Sequence, residues 1–285
     1  MLVTVKLKSA YIKNPIFVSF TSLSDFLKCP KAYWFKNICR DSKTGNRIQI
    51  ASPYLSLGST VHDSAKWYMD MGGQVTYPQL EVKFRNLWLK YSGRRGGFSD
   101  KSEEAVFGKR GLKMIDNFFK NAKRLEKVTH NIDFPKLHLF EDVILMGNFD
   151  FVGEKEDGTL HIVDFKTGIN DEKDPLQLYI YAILAEANFG KKVSCASFWY
   201  LDRDDAPKAI VLDALEPKLE WITGKAKEIK KAIGEGSWIC SKGDVPTGTS
   251  CRDCADYQAI LDGKGQFQFT DDRYHKDVYY LPRNL

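Results

Sequence analysis

The sequence predicts an α/β fold with a central mixed β-sheet flanked by helices. Three observations carry this. Before Pro135, apolar residues recur at helical spacing. After Pro135 the chain turns to runs rich in Val, Ile, Phe and Leu, broken by turn residues. Helix and strand patterns then alternate to residue 236, as helices packed on a sheet require.

Taken in order, "TSLSDFLKCPKAYWF" (21–35) places apolar residues at 23, 26 and 27, with Thr21 or Ser22 as N-cap and Pro30 bending or ending the helix. "LGSTVHDSAKWYMDMGG" (57–73) is a second helix closed by paired glycines, and 78–91 and 101–129 are two more. "SGRRGGFSD" (92–100) between them is a glycine-arginine loop that reads first as mobile surface, with contact to phosphates as the alternative. Residues 137–154 and 159–168, joined through the turn "EKEDG", make a hairpin or meander. A helix over 174–190 has Pro175 in its first turn and Gly190 at its end. Strands follow at 192–202 and 206–214, then an amphipathic helix at 217–236 and a loop-rich tail, 237–285, holding three cysteines. No repeat or interdomain linker stands out. The chain therefore reads as one unit, 1–285, with a helical portion (19–135), a sheet core (136–214) and a C-terminal helix with a cysteine-bearing tail (215–285).

Composition narrows the functional classes. A hydrophobic share of 43% beside 28% charged residues describes an ordinary globular protein. The absence of any eighteen-residue apolar run gives no membrane span, and the basic N-terminus lacks a signal-peptide core. A cytoplasmic setting with reduced thiols follows as the expectation. The net charge of +5 permits an acidic partner such as nucleic acid without requiring one. Cysteines at 29, 39, 195, 240, 251 and 254 then suggest metal ligation or plain buried thiols.

The chemistry concentrates in "IVDFKTG" (162–168). Strand side chains alternate faces, so Asp164 and Lys166 point the same way. The preceding strand brings Asp150 of "GNFDFVG" beside them. Two carboxylates at a sheet edge repel each other, and a divalent cation such as magnesium relieves this by taking oxygen ligands from both. The Phe165 carbonyl lies between the two side chains and is a further candidate ligand. A metal-bound water loses its proton more readily and can attack a phosphodiester. Lys166 would position that water or stabilise the developing charge. Taken alone, Asp-x-Lys also describes a surface salt bridge.

The string does not stand alone. "GSTVH" (Gly58 to His62), Gly147 with Asp150, "DFKTG" (Asp164 to Gly168) and "QLYIY" (Gln177 to Tyr181) occur in one order. Together they resemble the PD-(D/E)xK nuclease superfamily, and more narrowly its RecB-type exonuclease branch, which includes CRISPR-associated adaptation nucleases and phage enzymes. The resemblance implies a restriction-endonuclease-like core. It makes His62, Asp150 and Asp164, with the Phe165 carbonyl, ligands of Mg2+ or Mn2+, and Lys166 the catalytic lysine. Gln177 and Tyr181, one helical turn apart, would orient substrate near the scissile phosphate. His62 as an ordinary helix residue, and Gln177 and Tyr181 as a half-buried helix face, are the plain alternatives.

RecB-type nucleases often hold an iron–sulfur cluster on one upstream cysteine and three near the C-terminus. "LKCPKAYWF" matches the first with Cys29, and "SCRDCADY" supplies Cys251 and Cys254. Where the family places a fourth cysteine this chain has "QAILDG"; Cys240, eleven residues before Cys251, is the nearby candidate. These four thiolates would suit a [4Fe-4S] cluster, with zinc as the alternative. Cys39 and Cys195 are expected to be simply buried, Cys195 in the core.

The resulting expectation is a metal-dependent deoxyribonuclease acting on single-stranded DNA or from free ends. Its settings would be recombination, repair, CRISPR adaptation or phage replication. Arg94, Arg95 and Lys109 would track the DNA backbone. No G-x-x-x-x-G-K-[ST] motor motif is present, so unwinding would fall to a separate helicase or a recombination or CRISPR partner. The competing reading is a nuclease fold that binds DNA or serves as an adaptor without cutting.

Overall fold

A computed structural model describes residues 14–243 and 251–282. In chain order its elements are β1 (Ile16–Val18), α1 (Phe20–Lys28), α2 (Pro30–Tyr33), β2 (Arg47–Ile50), α3 (Pro53–Asp70), α4 (Tyr77–Trp88) and α5 (Lys101–Asn121). There follow β3 (Val128–Thr129), β4 (Lys136–Phe140), β5 (Val143–Met146), β6 (Phe151–Glu154), β7 (Leu160–Lys166), α6 (Leu176–Phe189), β8 (Val193–Tyr200) and β9 (Lys208–Ile210). The chain ends through α7 (Leu215–Glu235), α8 (Arg252–Leu261), β10 (Gln266–Asp271) and β11 (Lys276–Tyr280). The fold is α/β with mixed sheets and flanking helices, as the sequence predicts. No helix among the described residues is long and apolar enough to cross a membrane.

Two compact units divide the chain. The first draws on Met1–Ser24 and Asn121–Ser237, the second on Asp25–Lys120 and Trp238–Leu285. In the first, a five-stranded sheet runs β3-β6-β7-β8-β9. Only β7 and β8 pair in parallel; the other neighbours are antiparallel. Parallel neighbours need a crossover, and α6 provides it. A second sheet orders β1-β5-β4. Helix α6 contacts β7, β8, β4 and α7, which explains why it is apolar nearly all round rather than on one stripe. Leu178 of α6 packs with Ala196, Phe198 and Tyr200 of β8.

The second unit holds α2 to α5, α8 and the sheet β10-β11-β2, in which β11 runs parallel to β2 and antiparallel to β10. Pro30 begins α2 at a position needing no N–H donor, and the Cys29 thiol caps it by accepting from the Ala32 N–H at 3.4 Å. A capping box between Thr76 and Gln79 starts α4. The Asp277 carboxylate, fully buried on β11, accepts from Thr44, Asn46 and Thr270, which satisfies a charge that burial would otherwise penalise.

Several boundaries differ from the sequence reading. Helix α1 starts at Phe20, and Ser19 caps it by a reciprocal bond with Ser22, so neither Thr21 nor Ser22 is the N-cap. The helix expected over 101–129 stops at Asn121, before the short strand β3. Part of the 92–100 loop is a 3-10 turn, Gly93–Gly96. The tail contains α8 and the β10–β11 hairpin, whose alternating pattern is too weak to stand out without its partner β2.

Candidate active site and cysteine cluster

Strand β7 alternates as expected and presents Asp164 and Lys166 together. The Lys166 Nζ lies 3.1 Å from Asp164 Oδ2. Gln177, on the first turn of α6, accepts from Lys166 Nζ at 2.6 Å and donates to Asp164 Oδ1 at 2.8 Å. Its amide also donates to Tyr181 Oη at 3.1 Å, one helical turn on. Asp150 enters from the segment between β5 and β6, where its Oδ2 accepts the Phe165 N–H at 2.8 Å. Five side chains predicted as site residues, with the Phe165 backbone, therefore meet at the C-terminal end of β7.

The electrostatics suit a buried charge cluster. The Asp164 side chain is 3% exposed, and a lone carboxylate would not be tolerated there. Its ammonium partner and the Gln177 amide offset that cost. Burial pushes the Lys166 pKa down, but Asp164, Glu172 and Asp150 together hold it above its ordinary value. Lys166 is thus a firmly charged ammonium. Burial, followed by the charges of Asp164 and Asp150, drives the Tyr181 pKa well above the ordinary phenol value, so its hydroxyl keeps its proton.

Gly147 explains the glycine three residues before Asp150. A Cβ there would lie 2.9 Å from Leu184 Cδ1 and 3.2 Å from Tyr181 Cε1. A side chain would push this segment off α6.

Sequence reasoning missed three neighbours. Glu172 lies 3.5 Å from Lys166 Nζ, the Phe198 ring centroid 4.9 Å from it, and Tyr200 Oη accepts the Glu172 N–H at 2.7 Å. The register pairs Asp164 with Phe198 and Lys166 with Tyr200, so the β7–β8 alignment is the signal that locates these two, whereas Glu172 comes from the connection between β7 and α6. His62 lies half-buried on α3, in the second unit.

Two cysteines depart from expectation. Cys195 is half-buried beside Ser197 at 3.8 Å, and an interaction with His161 lowers its pKa; it is not an inert core thiol. Cys39 is likewise only partly covered. Arg94 donates to Gln266 and lies over Tyr280, Arg95 lies over Phe269, and Lys109 is exposed on α5.

The remaining four cysteines converge within the second unit. The sulfurs of Cys29, Cys240, Cys251 and Cys254 all lie within 4.8 Å of one another. Cys254 is 3.6 Å from Cys29 and 3.3 Å from Cys251. Although burial acts to raise its pKa, backbone N–H groups of Ser241 and Ala32 and the neighbouring thiols bring Cys29 down to about 6. Burial and the adjacent sulfurs push Cys254 up. Four converging sulfurs, one already favoured as thiolate, form a donor set that fits zinc or iron–sulfur ligation.

Residues 18–259 match the family model described as the PD-(D/E)XK nuclease superfamily. No curated protein matches the chain.

Proposed function

The chain belongs to the PD-(D/E)XK nuclease superfamily, and from that premise we propose a metal-dependent deoxyribonuclease of the RecB-type branch, acting on single strands or from DNA ends. The observation carrying this reading is the shared hold of Gln177 on Asp164 and Lys166, with Asp150 anchored to the same strand. Asp150 and Asp164, the Phe165 carbonyl and, by motif order, His62 are the proposed ligands for Mg2+ or Mn2+. The bound ion would supply an activated water and charge neutralisation at the phosphate.

The protein groups have separable tasks. Asp164 and Asp150 provide the oxygen donors. Lys166 places a fixed positive charge where negative charge develops on the phosphate oxygens. Gln177 sets the direction of both Asp164 and Lys166, and Tyr181 holds Gln177 while retaining its own proton. Water that replaced the Gln177 amide would have to reorganise during the reaction; a fixed amide avoids that cost.

The whole chain is proposed as one nuclease unit whose four-cysteine cluster holds a metal centre. The RecB resemblance favours [4Fe-4S]. The sulfur spacing itself is that of a single tetrahedral zinc, whose bonds of about 2.3 Å place sulfurs about 3.8 Å apart, and a cubane, with each cysteine on a different iron, would need the sulfurs to spread. Metal analysis with a visible absorption spectrum of anaerobically purified protein separates the two. No substrate-unwinding step is assigned to this chain; a helicase or recombination partner would provide it.

End-labelled single- and double-stranded oligonucleotides, incubated with Mg2+, Mn2+ or EDTA, test the reading. Wild type should cut only with a divalent ion, and Lys166→Ala should bind without cutting. Wild type that binds DNA but never cuts would overturn the enzyme and leave the silent binding fold. Equal cutting by Lys166→Ala would overturn the site.

A further inference from the structure

The second unit contains a cleft of about 270 Å3 that the proposed chemistry does not use. The first turns of α3, the turn carrying Arg95, and strands β2, β10 and β11 line it. Its volume sits at the small end for ligand pockets, which suits a phosphate and sugar better than a large cofactor.

The wall is cationic on one side and aromatic beneath. The Arg95 guanidinium lies over the Phe269 ring, 4.6 Å from its centroid. Lys276, on β11, donates to the Gln49 amide oxygen at 2.9 Å and lies over Tyr274 at 5.8 Å. Asp271 is the acidic residue in the lining, and Lys90 pairs with it at 2.9 Å. Neither Arg95 nor Lys276 forms an ion pair with a carboxylate among the described residues. Burial first, then the charge of Arg47, its register partner on β2, lower the Lys276 pKa against the opposing charges of Asp271 and Asp25. Ser56 and the exposed Ser59, on α3, extend the polar wall.

We propose that this cleft captures a phosphate-bearing nucleotide of the single-stranded substrate, with Arg95 and Lys276 on the phosphate and Phe269 and Tyr274 as the surface for sugar or base. The inference rests on the nucleic-acid reading given above and names where the strand is gripped. Guanidinium and ammonium donors recognise phosphate oxygens, and exposed ring faces accept nucleotides without sequence preference. The Arg95 side chain can turn from Phe269 to the phosphate while its stem stays on the ring.

Fluorescence anisotropy of a labelled single-stranded oligonucleotide, in EDTA so that nothing is cut, tests this. Wild type is compared with Arg95→Ala, Lys276→Met, the double variant and a control at exposed Lys101. Thermal unfolding of each sample checks the fold, and Arg95→Ala on its surface turn keeps the test valid should Lys276→Met unfold. Each single variant is expected to weaken binding about fivefold to tenfold and to flatten the salt dependence by about 0.7 per lost phosphate contact. The control should bind as wild type. Folded variants with wild-type affinity and salt slope would overturn the proposal. A deoxynucleoside monophosphate that displaces the strand as well as unlabelled strand does would also overturn it, by assigning the cleft to free nucleotides. Because binding is read without catalysis, a wild type that binds but never cuts removes the nuclease reading and leaves this one standing. The reverse holds if wild type cuts and the variants bind normally.

Discussion

Gln177→Ala is the most informative change, because it removes the connection between two charges and spares the charges themselves. The amide makes two charge-assisted hydrogen bonds, at 2.6 Å to Lys166 and 2.8 Å to Asp164. Each is worth about 1.5–3 kcal/mol in a buried setting. The full sum is not lost, since Lys166 keeps Asp164 at 3.1 Å and Glu172 at 3.5 Å. A net loss of about 2 kcal/mol follows once the retained ion pairs and entering water are allowed for. For a chain of this size that lowers Tm by about 4–8 °C. The rate should fall further than stability implies. With the amide gone, the Lys166 ammonium can lean toward Glu172 and away from the phosphate, and misplacement on that scale costs about tenfold to a hundredfold. Single-turnover cleavage of an end-labelled strand and a thermal melt, on the same preparations, read both. Cutting within about twofold of wild type with an unchanged Tm would refute the positioning role. Gln177→Glu sharpens the test: a third carboxylate beside Asp164 should cost more activity than alanine does, although it still accepts from Lys166.

Three further outcomes are expected. Gly147→Ala forces a methyl against Leu184 and Tyr181, at 2.9 and 3.2 Å, and should cost about 1–3 kcal/mol in denaturant unfolding together with lost cutting; an unchanged midpoint would show that α6 yields freely. Cys240→Ser should lose bound metal as fully as Cys29→Ser in elemental analysis, because the four sulfurs form one cluster; normal metal content would return Cys240 to a packing role. Of the 13 tyrosines, several should resist ionisation: burial, then Asp25, pushes Tyr33 to about 12, and burial first also raises Tyr181, Tyr257 and Tyr279. Their folded pKa values exceed the unfolded value of about 10, so this stability is full below pH 10 and lost as pH rises toward the folded values. Tyrosinate absorbance should therefore rise in two stages, the second coincident with unfolding by circular dichroism; a single smooth rise near pH 10 with the fold intact would contradict the burial.

How much of this was legible in the sequence follows from how local each cause is. Asp164 and Lys166 share a face because strand period is two, and Gln177 and Tyr181 because four residues make a helical turn. Such features depend on a few neighbouring residues and are readable. Glu172 and Phe198 were not, since they reach Lys166 through loop geometry and the parallel register of β7 on β8. The Ser19 cap was missed because the run "SFTSLS" offers several hydroxyl residues, and periodicity alone does not say which one precedes the first turn. Cys240 was readable as the fourth cysteine from its nearness to Cys251, and its sulfur does join the other three; what no local pattern carries is where that group meets Cys29 from the far end of the chain.

The two sites are also held by different means. Every side chain of the acidic cluster comes from one continuous stretch, Asp150 to Tyr181, organised by β7, α6 and their connection, so local folding suffices to assemble it. The second unit has no such advantage, because its two segments are separated by Asn121–Ser237. Cys29 belongs to the first of those segments and Cys240, Cys251 and Cys254 to the second, Cys29 and Cys254 standing 225 positions apart in the chain. A crosslink over that separation removes about 5 kcal/mol of loop entropy from the unfolded chain. The parallel pairing of β2 with β11 joins the same two segments but becomes favourable only after they have met. A centre bound by all four sulfurs would supply that meeting point, and its binding energy would add to folding of this unit. On the proposed reading the acids and Lys166 serve the chemistry, whereas the cysteines would join a unit that its own sequence order leaves in two pieces.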